Sequence, residues 1–245
     1  MLPGFSILTF TLMFPHNPEV THTILAVMAG ITIIAGSMGA LGTRDVRAIA
    51  SYNVIIGVGF ILIGLAVGTE VGLQGAIYYL IHDMLAKAML FLIIGMMIYL
   101  TGETNLRLMS GLIRNYPLFG WMFFLVMCAL AGIPPLSGFI GKVLIAQGAI
   151  EVGHFALLAI GFASSVAVLY SLLRIFLASF FGETIISLEE EKPLSKGILA
   201  SIVLLGVAIV VLGVGAEFLA VYVEDAARTL SNPSIYIDAI LGERE

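Results

Sequence analysis

Residues 128–150 read CALAGIPPLSGFIGKVLIAQGAI. Pro134 and Pro135 stand in the middle of this apolar run, and Gly138 and Gly141 follow. Proline removes a backbone donor and glycine loosens the chain, so the pattern predicts a helix interrupted near 132–138. The apolar pieces on either side, 117–133 and 143–150, are each too short to cross a membrane, which takes about 20 residues. Lys142 lies just past the break. Broken backbone at membrane depth persists only where it is buried in protein or lines a water-filled cavity. Freed carbonyls and a half-helix end beside a charged side chain are features of transporter sites. The competing reading is a loop that returns to the surface with Lys142 snorkelling.

The rest of the chain puts this stretch inside a bilayer. Of 245 residues, 60% are hydrophobic and 11% charged. A soluble domain is about half apolar and about a quarter charged. Too few residues remain to coat a wet surface. The expected fold class is all-α, a polytopic transmembrane bundle of about six helices. Spans are expected at 22–42, 47–68, 73–100, 117–150 with its break, 154–181 and 197–222. Residues 1–22 hold a short apolar half-helix (GFSILTFTLMF, 4–14) and an outer loop. Residues 23–222 form the transmembrane domain, and 223–245 a polar, acidic tail outside the membrane.

Loop charges set the orientation. Arg44 and Arg47, Arg107 and Arg114, and Lys192 and Lys196 occupy three loops on one side; only Arg228 and Arg244 lie on the other. The first group is expected to be cytoplasmic, with both termini outside and the chain multi-pass in the plasma membrane. The net charge of −5 argues against nucleic-acid binding, which needs clustered Lys and Arg. The single cysteine, Cys128, can form neither an internal disulfide nor a cysteine-ligated metal site. No signal peptide, nucleotide loop, metal-ligand cluster or nucleophile motif is legible. No catalytic residue, cofactor or metal site is therefore expected in this chain.

Three charged residues fall well inside the spans: Asp83, Lys87 and Lys142. A charge at the bilayer centre costs at least about 2.5 kcal/mol and usually faces a partner or a wet cavity. Asp83 and Lys87 are four apart, hence on one helix face and within reach. His82 adjoins them, with Tyr78 one turn before. A closed Asp–Lys pair that only lets the helix pack is one reading. A proton relay is the other, since histidine titrates near neutrality. Arg174 is expected to snorkel at the cytoplasmic end of span five. Ser51, Tyr52, Asn53, Ser164 and Ser165 could line water or bond across helices.

Two segments carry a family resemblance: IPPLSGFIGK (133–142) and YYLIHDMLAKAMLFLIIG (78–95). The chain resembles the antiporter-like family. That family includes the D-type member of Mrp sodium/proton antiporters, the pumping subunits of respiratory complex I, and relatives in membrane-bound hydrogenase complexes. TRDVRAIASYNVIIGVGF (43–60) looks like the opening of the family's tenth helix. LLRIFLASFFGE (172–183) and NPSIYIDAILG (232–242) look most like the Mrp D type.

The family fold has fourteen helices with two inverted five-helix repeats. The resemblance implies that the six spans are helices 9 to 14, one repeat plus a final helix. It places the proton-path lysine of the interrupted helix at Lys142 and the eleventh-helix lysine at Lys87, with its histidine neighbours at His82 and position 83. Two departures stand out. Asp83 occupies a position where the family often has a second histidine. The first repeat, with its glutamate–lysine pair and its own lysine, has no counterpart in these residues.

Two functions are compatible with this. The first is a half-channel subunit of a multi-subunit complex that moves protons or exchanges sodium for protons, partnered by other membrane subunits, antiporter-like ones among them. The second is a non-conducting spacer between such subunits. A two-orientation homodimer would need a weaker loop-charge bias than this chain has.

Overall fold

The computed structural model describes residues 18–183 and 193–231. The segments 4–14 and 232–242, Glu189–Glu191, Lys192 and Arg244 lie outside the described residues. The described chain is helical throughout. We number the helices α1 (Pro18–Gly42), α2 (Val46–Val67), α3 (Glu70–Thr101), α4 (Leu112–Asn115), α5 (Pro117–Ala131), α6 (Ser137–Glu151), α7 (Phe155–Phe180), α8 (Lys196–Val214) and α9 (Ala216–Ser231), with a short 3₁₀ turn at Leu106–Leu108.

Five of these, α1, α2, α3, α7 and α8, are long and apolar enough to cross a membrane. Helices α5 and α6 have 15 residues each. At 1.5 Å per residue each covers about 22 Å, short of the roughly 30 Å hydrocarbon core. Placed end to end across the break, they make the sixth crossing. The protein is a polytopic transmembrane helix bundle.

Local signals fix the helix ends. Asp45 caps α2, its carboxylate accepting from the N–H groups of Arg47 and Ala48. Thr69 caps α3 through Gly72. Gly132, at φ +85, closes α5 in the left-handed conformation that only glycine adopts without strain.

Helix α3 is the hub: α2, α5, α6, α8 and α9 all pack on it. Helix α1 packs on α2 and α7. Gly141 lets α6 lie directly on α3, where a Cβ would run into the backbone of Tyr79. Behind the break, the Pro135 carbonyl and Leu136 rest against Gly213 of α8. One side of the break is therefore covered by α8, while the side chains of Ile133, Pro134 and Pro135 are exposed.

One expectation is corrected. Helix α8 ends at Val214, not at 222, because Gly215 breaks it. Residues 216–231 form a separate helix, whose last part falls in the stretch expected as the polar tail. It buries Val223 and Ala227 and exposes Phe218 and Tyr222. Arg174 sits near the expected end of α7. Its guanidinium donates to the carbonyls of Ala40, Leu41 and Thr43, capping the end of α1.

Candidate functional site: two lysines around a broken helix and its neighbour

The break at 132–136 follows from Pro134, Pro135 and the glycines around them. Its backbone bonds can be traced group by group. The Cys128 carbonyl accepts from Gly132 and Ile133, and Ala129 also accepts from Gly132. The carbonyls of Leu130 and Ala131 are taken by Lys142, whose Nζ donates to each at 3.0 Å. A third donation goes to Ser165 Oγ on α7, also at 3.0 Å. All three protons of the ammonium are thus placed. Phe60 of α2 adds its ring face 4.9 Å from Nζ, and Tyr79 of α3 lies at 5.9 Å.

The second cluster sits further along α3. Lys87 Nζ donates to Asp83 Oδ1 at 2.9 Å and to the backbone carbonyl of Asn53, on α2, at 2.6 Å. Both side chains of the pair are 10% exposed. Asp83 lies against Gly57, where a Cβ would touch both carboxylate oxygens. Asn53 is buried; its amide donates to Ile49 O and to Ser171 Oγ on α7.

Between the clusters stand Tyr79 and His82, with ring centroids 5.6 Å apart. His82 is fully buried. Its Nδ1 pairs with Ser137 Oγ, the first residue of α6, at 2.8 Å, and its Nε2 has no partner among the described residues. A Cβ at Gly138 would strike the imidazole and the Ala129 carbonyl. The break glycine is therefore what admits the histidine.

The structure brings all four polar residues singled out from sequence, His82, Asp83, Lys87 and Lys142, around α3 and the break formed by Pro134, Pro135, Gly138 and Gly141. It turns Tyr78 away: its hydroxyl donates to Leu212 O on α8. Tyr79 takes the expected place. The 79, 83, 87 spacing, one turn per step along one face, is the signal for it. Phe60 and Ser171 carry no comparable signal. Of the cross-helix candidates, Asn53 and Ser165 do bridge helices; Ser51 and Ser164 bond back to their own helix.

A cavity of about 20 Å³ opens beside Lys142, lined by Phe60, Ser165, Gly161, Ala146, Ala149 and Leu157. That volume holds about one water molecule. It runs from the lysine along the facing surfaces of α6 and α7 toward the loop that joins them. No group of three or more metal-ligating side chains occurs among the described residues.

Comparison with known proteins gives one family model, described as NADH:quinone oxidoreductase/Mrp antiporter, transmembrane, which matches residues 2–168. The D component of the Na(+)/H(+) antiporter of Bacillus subtilis is 46% identical over 96% of this chain and 48% of its own length. A chain in the structure of the Mrp complex from Dietzia sp. superposes with TM-score 0.86 and 28% identity, covering 91% of this chain and 50% of that one. A chain of respiratory complex I from Thermus thermophilus shares the fold at TM-score 0.83 and 24% identity, covering 93% and 48%. The chain spans about half the length of the curated relatives it matches.

Proposed function

The chain belongs to the NADH:quinone oxidoreductase/Mrp antiporter transmembrane family, and we propose that it is a proton-handling half of a subunit in a multi-subunit membrane complex. The complex moves protons or exchanges sodium for protons, as the name of the Bacillus subtilis relative states for that protein. Its partners are other membrane subunits, antiporter-like ones among them, in the plasma membrane. The loops after α1, α3 and α7 face the cytoplasm, by their lysines and arginines.

The observation that carries this reading is the setting of Lys142. An ammonium held by the carbonyls that a helix break sets free, with a one-water cavity beside it, can give up and regain a proton. Lys142 is the terminal carrier. His82, with one ring nitrogen engaged and one unpartnered, and Lys87 pass protons toward it. Asp83 modulates Lys87 by holding its ammonium.

The spacer reading has one observation in its favour, the closed Asp83–Lys87 pair. Hydration separates the two. Ala146 lines the cavity one turn beyond Lys142. With Cys128 replaced by alanine, Ala146→Cys in the intact complex is treated with a hydrophilic, membrane-impermeant maleimide. Labelling from the outer side alone supports conduction. Protection from both sides supports the spacer.

A further inference from the structure

Resting on the reading of Lys142 as a proton carrier, we propose that Ser165 is the hydroxyl that lets this lysine release its proton, by changing from acceptor to donor.

The argument is one of hydrogen-bond valence. An ammonium has three donors and no acceptor. Lys142 places them on Leu130 O, Ala131 O and Ser165 Oγ. When a proton leaves for a water in the adjoining cavity, the amine keeps two N–H groups and gains a lone pair. The two carbonyls can still accept the two N–H groups. Neither carbonyl can donate to the lone pair. Ser165 can, because a hydroxyl both donates and accepts and its proton rotates freely.

The hydroxyl proton is free to make that turn. Ser165 donates it to Gly161 O over 3.3 Å, a long contact. Gly161 O is served better by Ser164, whose hydroxyl donates at 2.7 Å. Releasing the Ser165 proton therefore strands no acceptor. In the balanced step, Lys142 Nζ loses one proton to water, the Ser165 O–H leaves Gly161 O and points at Nζ, and both carbonyl bonds stay. Return of the proton reverses the rotation. With alanine at 165 the amine lone pair would be left unpartnered in a nearly dry site, which penalises the deprotonated state.

The test uses the whole assembled complex in vesicles, with Lys142→Ala as reference. Ser165→Ala removes the hydroxyl without adding bulk; Ser165→Thr keeps it, and the added methyl has the cavity beside it. The expected result is normal assembly of both variants, a rate about tenfold lower for Ser165→Ala, and a rate near wild type for Ser165→Thr. Ser165→Ala at the full rate overturns the proposal, as do Ala and Thr variants that are equally slow. If Lys142→Ala itself transports normally, the carrier reading fails and this step fails with it. If Lys142→Ala is inactive while Ser165→Ala is unimpaired, only the role of Ser165 is lost.

Discussion

Lys87 on α3 donates to the backbone carbonyl of Asn53 on α2 at 2.6 Å, while the same ammonium pairs with Asp83 at 2.9 Å. The bond ties the charge pair to a neighbouring helix as well as to its own. Asn53 in turn reaches Ser171 of α7. That amide has one orientation, because the Ser171 hydroxyl proton is committed to Val168 O and its oxygen can only accept. Helix α7 therefore meets both lysines, Lys142 through Ser165 directly and Lys87 through Asn53 and Ser171.

Removing one partner of the buried pair should cost more than removing both. Asp83→Leu leaves a buried ammonium with a single carbonyl, a loss of about 3–5 kcal/mol. The double change Asp83→Leu with Lys87→Met replaces both charges by apolar bulk. We expect the single variant to lose most of its folded subunit and the double variant to recover much of it, by gel filtration of fluorescently tagged protein. Equal yields would mean that the pair adds nothing to the fold.

Gly57 makes room for Asp83. A methyl there would meet both carboxylate oxygens. Gly57→Val should displace the carboxylate and lower thermal stability by about 1–3 kcal/mol. An unchanged melting temperature in detergent would show that Asp83 has another seat.

Arg174 holds three carbonyls at the end of α1. Hydrogen bonds from a charged donor are worth about 1.5–3 kcal/mol each at most. Arg174→Gln should loosen α1, seen as faster amide exchange over residues 36–43. Arg174→Lys should restore little of it, since a point charge cannot reproduce the guanidinium fork.

The α2 cap gives a pH dependence. Burial pushes the Asp45 carboxyl up, but hydrogen bonds from Arg47, Thr104 and Ala48 outweigh it and hold the carboxyl below the usual range. A carboxyl depressed on folding stabilises above its unfolded pKa of about 3.9, and that stability is lost as the pH falls through the folded value. Asp45→Ala should cost about 1 kcal/mol at neutral pH. The difference from wild type should stay flat between pH 5 and 8 and shrink only in stronger acid. A difference that changes across neutrality would assign the effect to another group.

Much of this architecture is legible in the sequence because a bilayer leaves few options. Apolar length marks the crossings, Pro134 and Pro135 mark the break, and the spacing of Asp83 and Lys87 marks their pairing. The legible features are those set by period and by proline chemistry. Partners across helices are not. Phe60 and Ser171 look like ordinary residues of apolar helices, and only the packing of α2 against α3 and of α7 against α2 brings them to the lysines. The end of α8 is hidden because 215–222 is apolar enough to continue a span, and only Gly215 hints at the turn. The role of Arg174 is hidden because its acceptors belong to α1 and the loop after it, more than 130 positions away.

The most direct test of the central claim is transport by the complete complex carrying Lys142→Ala, measured as proton movement in everted membrane vesicles with subunit assembly checked in the same preparation. The account predicts wild-type assembly and no coupled proton movement. Proton movement at the wild-type rate would contradict it and leave Lys142 as a packing residue beside a broken helix.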